Sequence, residues 1–316
     1  MPEKNDIEFP KHFDGRRFFN PGGSHLNGLG SVIRWKLTTR PEREAAFFDD
    51  VMPCVPPAQV DGERMRITFV NHSTVLLQHR DVHILTDPIW SLRCSPVQWA
   101  GPKRKRNPGV HFEDLPRIDI VLLSHNHYDH LDLATLGRIQ QRGTAKFVVP
   151  VGVARLLERN SVGPGHELDW GHSVEIGAAK IHAVPAVHFS SRSARDRNQT
   201  LWCGYIIECA KKTVYFAGDT AFGSHYAEIR ARFGAPDLAL LPVGAYLPRW
   251  FMSPVHQDPA EALRAHEILG ARTTIAIHHG TFQLADERID APRRELASRP
   301  ESFVFLANGE WKEVAW

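Results

Sequence analysis

From Arg66 onward the chain alternates between short apolar runs and polar, turn-forming stretches. Arg66 to Val70, Thr74 to Gln78 and His83 to Thr86 are β-rich runs, and Ile118 to Leu123 is a continuous apolar run that reads as a buried strand. Lys146 to Pro150, Lys180 to Val184, Tyr205 to Cys209, Thr213 to Ala217, Leu238 to Val243, Thr274 to Ile277 and Ser302 to Leu306 continue the pattern. Helical stretches lie between them. One is Val153 to Arg159. Another begins where Asp258 caps, Pro259 occupies the first turn and Glu261 completes a capping box, and it runs to Leu269 before Gly270. Residues 1–60 behave differently. Pro21-Gly22-Gly23, Gly28 and Gly30 interrupt them, and Pro53, Pro56 and Pro57 close the stretch. They read as an irregular amino-terminal extension laid across a main domain of residues 61–316. Strands first, then strands interleaved with helices, predict two sheets packed face to face with helices outside, an α/β architecture.

Composition narrows the function without deciding it. Apolar residues make up 42% of 316, enough for a substantial core, and 38 basic against 36 acidic residues leave a net charge of only +2. That balance argues against nucleic acid as a partner and against a nuclease. Cys54, Cys94, Cys203 and Cys209 form neither a CxxC pair nor a disulfide framework, so reduced cysteines are expected. Met1 to Pro10 is polar and unlike a signal peptide, which makes export, and with it β-lactam hydrolysis, a poor fit. No segment is long and apolar enough to span a bilayer. A cytoplasmic protein, at most peripheral on a membrane, is the expectation; a homo-oligomer is left open.

The chemistry concentrates in Ser124-His125-Asn126-His127-Tyr128-Asp129-His130-Leu131-Asp132. Four candidate ligands lie within six residues directly after an apolar strand. Alternation sets His125 and His127 on one side, suited to gripping one ion, while Asp129 and His130 lie past the turn and can face a second. Imidazole with carboxylate suits Zn²⁺, with Fe and Mn as alternatives. His188, Asp219 and His278 each follow an apolar run, and strand ends are where binding crevices form in layered α/β proteins.

These residues resemble the metallo-β-lactamase superfamily pattern, HxHxDH followed by separate His, Asp and His ligands. The resemblance implies an αββα four-layer sandwich with two metal ions at one edge. His125, His127 and His188 would hold one ion, Asp129, His130 and His278 the other, and Asp219 would bridge them. His279 adjoins His278, and aligning Ala276-Ile277-His-x-Gly280-Thr281-Phe282 favours His278 as the ligand. Further motifs resemble the N-acylphosphatidylethanolamine-hydrolysing phospholipase D family. They are Leu85-Thr86-Asp87-Pro88-Ile89, Gly101-Pro102-Lys103-Arg104, Gly244-Ala245-Tyr246-x-Pro248-Arg249-Trp250-Phe251-Met252 and His256-x-Asp258-Pro259, with Arg17-Phe18-x-Asn20-Pro21 in the extension. His279 departs from that pattern, where a tryptophan is expected.

Two ions carrying +4, against two aspartates and one hydroxide, leave about +1 at the site, which favours an anionic phosphodiester. A metal-bound water with its pKa lowered from 15.7 to about 7 would be the nucleophile. No GxSxG turn competes for that role. Asp87 is expected to orient a ligand imidazole from behind, with His72 as a similar partner. By family pattern Tyr128 and His256 contact substrate, and either can assist the leaving alkoxide; Asp129 is counted catalytic as the metal ligand that places the hydroxide. Lys103, Arg104, Lys105 and Arg106 read as a basic loop for a phosphate headgroup or an anionic membrane, with Trp90 and Trp99 for interfacial contact. The expected activity is therefore cleavage of N-acylphosphatidylethanolamine to N-acylethanolamine and phosphatidic acid. The alternatives are a metal-dependent lactone or carboxylic ester hydrolase and a non-catalytic metal- or lipid-binding protein.

Overall fold

Fourteen strands divide evenly between two sheets in the computed structural model, which describes residues 9–22, 28–60, 62–143, 145–193 and 195–316. The first sheet holds β1 (Arg64–Asn71), β2 (Thr74–His79), β3 (Val82–Thr86), β4 (Ile120–Leu122), β5 (Lys146–Pro150), β6 (Gly165–Leu168) and β14 (Trp311–Ala315), in the order β14-β1-β2-β3-β4-β5-β6. The second holds β7 (Ser173–Ile176), β8 (Ala179–Val184), β9 (Gly204–Cys209), β10 (Lys212–Phe216), β11 (Leu238–Pro242), β12 (Thr273–Ile277) and β13 (Phe303–Val304), in the order β13-β12-β11-β10-β9-β8-β7. Each sheet is antiparallel on one side and parallel on the other: pairing is parallel from β3 through β6 and from β10 through β13.

The parallel halves explain where the helices lie. A parallel neighbour demands a crossover, and crossovers place helices on the sheet face. Helices α2 (Leu133–Gln141) and α3 (Ala154–Arg159) cover the first sheet, while α4 (His225–Phe233), α6 (Pro259–Leu269) and α7 (Ala291–Glu295) serve the second, with the single turn α5 (Arg249–Met252) leading into α6. Side-chain alternation then sorts the core into layers. Val75 and Leu77 of β2 point between the sheets with Ile207 and Phe216, whereas Leu76 points outward with Leu136 and Leu157. On the second sheet Leu240 faces inward, while Leu241 packs with Tyr226, Ala265 and Leu269. Both faces of both sheets are thus buried, and the layers read α, β, β, α. The expected capping box of α6 is present, with Asp258 accepting from Glu261 N at 2.8 Å and Gly270 left-handed at φ 62°.

The extension departs from the irregular chain expected of it. It contains α1 (Leu29–Thr38), for which Gly28 is the N-cap without any side-chain hydrogen bond, so no capping residue marks its start. The helix is held by tertiary contact instead. Trp35 is buried against Ala245, Met252 and Ala285, and its Nε1 donates to Asp286 at 2.9 Å. Phe18 joins the core between the sheets. At the other end, the expected run from Ser302 to Leu306 pairs only over Phe303–Val304. Among the described residues no helix is long and apolar enough to cross a membrane.

Candidate metal centre

Five strands end at one edge of the sandwich, and each delivers a polar residue within a few positions of its end. Leu122 leads to His125, Thr86 to Asp87, Val184 to His188, Phe216 to Asp219 and Ile277 to His278. The loop after β4 turns tightly, since both His130 N and Leu131 N donate to His127 O, and Asp132 ends it by capping α2. Room for convergence comes from two glycines. A Cβ on Gly218 would lie 2.5 Å from Ser124 Cβ, and one on Gly244 would lie 1.9 Å from the His278 carbonyl oxygen. Three side chains of this region sit on left-handed backbone, His72 (φ 47°), Asp87 (φ 33°) and His278 (φ 60°). Such conformations cost of order 1–3 kcal/mol each in non-glycine residues and collect at functional sites.

The seven expected ligands gather into two adjoining groups. His125, His127 and His188 bring ring nitrogens within 4.8 Å of one another, and a carboxylate oxygen of Asp129 lies as close to ring nitrogens of His130 and His278. Asp219 touches both. Its Oδ2 lies 3.1 Å from His130 Nε2 and 3.2 Å from His278 Nε2, and 3.8 and 3.9 Å from the Nε2 atoms of His188 and His125. Neighbouring His279 turns away, stacking on Phe69 and bonding to Ala276 O at 3.2 Å. Two more histidines enter than the seven expected. His72, read from sequence as an outer partner, stands beside Asp129, His130 and His278, with Nε2 3.0 Å from Asp129 Oδ2. His256 groups with His188 and Asp219, its Nδ1 4.0 Å from Asp219 Oδ2.

The donor set fits metal ions. His130 Nε2, His278 Nε2 and Asp219 Oδ1 are buried and make no hydrogen bond, although His130 Nε2 lies 3.1 Å from Asp129. Interiors rarely leave several polar atoms unsatisfied at one point, and imidazole nitrogen with carboxylate oxygen is the set that divalent transition metals take. Charge is sorted within the cluster. Burial, reinforced by neighbouring imidazoles, holds His125 well below the usual range and His127 at about 3. Burial opposes the charge on His278 as well, yet Asp219 and Asp129 lift it to about 9. Burial likewise raises Asp129 and Asp219, but His130 and its neighbours outweigh that and keep both carboxyls well below their usual value.

Behind the ligands lies a hydrogen-bonded frame. Asp87, fully buried, accepts from Ser124 N at 2.7 Å, Ser124 Oγ at 2.6 Å and His130 Nδ1 at 2.6 Å. Ser124 Oγ also meets His125 Nδ1 at 2.9 Å. Since a carboxylate only accepts, the Ser124 hydroxyl donates to Asp87 and His125 Nδ1 must donate to Ser124. Each ring, once neutral, therefore keeps its proton on Nδ1 and turns Nε2 to the centre. Asp87 was legible as a partner of this kind; Ser124 was not, although it stands inside the motif. Arg192 carried no sequence signal at all. Its Nη1 donates to the carbonyls of Asn126 and Leu131 at 2.8 and 2.9 Å, so it braces both ends of the ligand loop.

Two expected substrate-side groups lie elsewhere. Tyr128 donates its hydroxyl to Arg192 O at 3.0 Å and lies beneath the Arg192 guanidinium, so its proton is committed away from the ligand cluster. It borders a cavity of about 940 Å³ shared with Asn126, Asp132, Arg155 and Leu156, and none of the seven candidate ligands lines that space. The basic run is a seam rather than an open loop. Arg104 is 2% exposed and donates to the carbonyls of Ser91 and Ile89. Lys105 reaches Ala45 O and Glu44, and Arg106 clasps Asp50 and Asp290. Three of the four cations are thus engaged within the protein, half of these partners lying in the extension; Lys103 is exposed.

Comparison with known proteins agrees with this geometry. The model of a beta-lactamase superfamily domain matches residues 83–279. The chain belongs to the metallo-β-lactamase superfamily. As a member it is a metal-dependent hydrolase. It is 38% identical to N-acyl-phosphatidylethanolamine-hydrolyzing phospholipase D 1 of Caenorhabditis elegans, over 99% of this chain and 97% of that one. It is 37% identical to an uncharacterized protein of Mycobacterium tuberculosis, over 85% of this chain and 74% of the relative. Among solved structures, isothiocyanate hydrolase from Delia radicum gut bacteria superimposes with a TM-score of 0.64 at 22% identity, covering 80% of this chain and 100% of that chain. At that identity the superfamily likeness speaks for the fold.

Proposed function

We propose that this hydrolase is a phosphodiesterase of phospholipase D type, cleaving N-acylphosphatidylethanolamine to N-acylethanolamine and phosphatidic acid. The observation that carries the reading is the pair of ligand groups joined through Asp219. His125, His127 and His188 would hold one Zn²⁺, and Asp129, His130 and His278 the other, with Asp219 between them. Bound divalent ions supply positive charge toward a phosphodiester and a water nucleophile at neutral pH. The likeness to the nematode phospholipase D along the whole chain supports the substrate class.

The remaining work falls to the protein's own side chains. Asp87 and Ser124 hold His130 and His125 in one tautomer. His72 stays hydrogen-bonded to Asp129 and keeps that carboxylate turned toward His130 and His278. His256 is partly exposed, and its Nδ1 has no hydrogen-bond partner. Beside Asp219, at 4.0 Å, it is the group we assign to exchange a proton with the leaving alkoxide.

The test is parallel hydrolysis of N-acylphosphatidylethanolamine, a soluble phosphodiester and a lactone by protein of known metal content, in ¹⁸O-labelled water. Two equivalents of zinc and label in phosphatidic acid are expected. Label in a carboxylic acid, with free fatty acid as the main product, would instead identify an ester or lactone hydrolase.

A further inference from the structure

Arg17-Phe18-x-Asn20-Pro21 lies more than a hundred residues before the ligands it meets, and the chemistry above gives it no task. The structure does. His188 stands four residues beyond the end of β8, in a stretch without helix or strand, so no sheet ladder holds its peptide. Its backbone is held by a side chain instead. Asn20 Nδ2 donates to His188 O at 2.8 Å, and Asn20 Oδ1 accepts from His188 N at 3.3 Å. The same Oδ1 accepts from Trp202 Nε1 at 3.1 Å. Asn20 is 6% exposed. The ring of His188 is then oriented by Nδ1 donating to Val255 O at 2.8 Å, which leaves Nε2 toward His127 and Asp219.

We propose that Asn20 is a positioning residue for His188, and that the amino-terminal segment thereby forms part of the metal-holding structure. An amide is the side chain this task requires, because it carries a donor and an acceptor on one planar group and can mimic a neighbouring strand. An aspartate would keep the acceptor and lose the donor, and would bring a charge against the His188 carbonyl. The segment delivering Asn20 is itself anchored. Phe18 is buried, Phe18 N donates to Asn198 O at 2.8 Å, and Asn198 Nδ2 returns a bond to Phe18 O at 3.1 Å. Asn198 N donates in turn to Ser190 O, so the loop bearing His188 and the amino-terminal segment brace each other. The effect is asymmetric. Among the described contacts Asn20 meets His188 and none of Asp129, His130 or His278, so only one of the two ligand groups depends on it.

This assignment rests on the two-metal reading, and the experiment separates the two. Zinc affinity is measured by chelator competition on the full chain for wild type, Asn20→Ala, Asn20→Asp, His188→Gln and the double variant Asn20→Ala/His188→Gln. Loss of an outer partner typically weakens a site about 10–100-fold. Asn20→Ala should weaken one equivalent by that factor and leave the other at wild-type affinity, with Asn20→Asp no better. In the His188→Gln background, Asn20→Ala should add nothing, because a residue acting through His188 has no further route. A purely structural role would give additive losses or weaken both equivalents together, and either result overturns the assignment. Amide hydrogen exchange at His188 in the metal-free protein supplies the independent reading, with at least a tenfold acceleration expected in Asn20→Ala. Unchanged exchange also overturns the assignment. A wild type that fails to take up two equivalents refutes the functional reading instead, and the exchange measurement still decides the role of Asn20.

Discussion

Replacing Asp87 by asparagine reverses a chain of protons. In the native frame His125 Nδ1 donates to Ser124 Oγ, Ser124 donates to Asp87, and His130 Nδ1 donates to Asp87, with all three contacts between 2.6 and 2.9 Å. An amide in place of the carboxylate keeps one acceptor, which Ser124 N can still use. Its NH₂ group, however, now faces Ser124 Oγ and His130 Nδ1. The least costly arrangement donates to both. Ser124 must then turn its hydrogen toward His125 Nδ1, and both imidazoles must move their proton to Nε2, facing the centre. Polar groups stay paired, so the metal-free fold should lose only the difference between charge-assisted and neutral hydrogen bonds, about 1–2 kcal/mol. Metal binding must displace a proton from each ring. We therefore expect both equivalents to weaken about 10–100-fold, which is about 1.4–2.7 kcal/mol each. Asp87→Ala should behave differently, because three buried donors lose their acceptor at about 1–3 kcal/mol apiece, and the fold itself should suffer. Chelator competition and urea unfolding, with and without metal, measure the two quantities separately. Wild-type affinity in Asp87→Asn, or a loss confined to one equivalent, would refute the relay through Ser124.

Further expectations follow from the same contacts. Asp129→Asn removes the carboxylate that His72, His130 and His278 all approach, at 3.0, 3.1 and 3.4 Å. It should fold yet lose activity by more than about 100-fold, beyond the range of outer partners; wild-type turnover with both metals retained would contradict the assignment. Burial opposes the charge on His12, but its 2.6 Å bond to Asp169 raises its pKa above 6.5. Its stabilisation should be full below that value and vanish as pH rises through the higher folded value. Asp169 is 35% exposed, so the amount is on the order of 1 kcal/mol or less. The gap in urea midpoint between wild type and His12→Asn should accordingly be larger at about pH 5.5 than in alkaline solution, where the loss of the ring stacked on Trp170 remains; a pH-independent gap would exclude the ion pair as a contributor. Arg106→Ala should cost about 1 kcal/mol by releasing the solvent-accessible carboxylates Asp50 and Asp290 and the Gly280 carbonyl, whereas Lys103→Ala should stay within about 0.5 kcal/mol. Equal midpoints for the two variants would restore the open-loop reading of the basic run.

Much of this protein was legible one segment at a time. An apolar run followed by HxHxDH marks a strand and the turn that aims its ligands, and both properties are set by neighbours in the chain. The capping of α6 by Asp258 and Glu261 is equally local, and so is its stop at Gly270. His188, Asp219 and His278 each follow an apolar run, a weak signal taken singly; their shared placement after strands and the resemblance to the superfamily pattern made them readable as a set. What the tertiary structure decided is which distant groups complete these pieces. Asn20 and His188 are 168 residues apart in sequence, and no periodicity joins them. His72 enters the ligand cluster because the turn between β1 and β2 packs against His278, whose N–H donates to His72 O at 2.8 Å. The cations from Arg104 to Arg106 looked like a free basic surface only because their partners, Asp50, Asp290 and the carbonyls of Ile89 and Ser91, lie elsewhere along the chain. A pattern of residue types reports which chemistry a segment offers. Whether a charge meets only solvent or a carboxylate from a distant segment depends on packing between segments, and that is settled only when the two sheets and the extension close over one another.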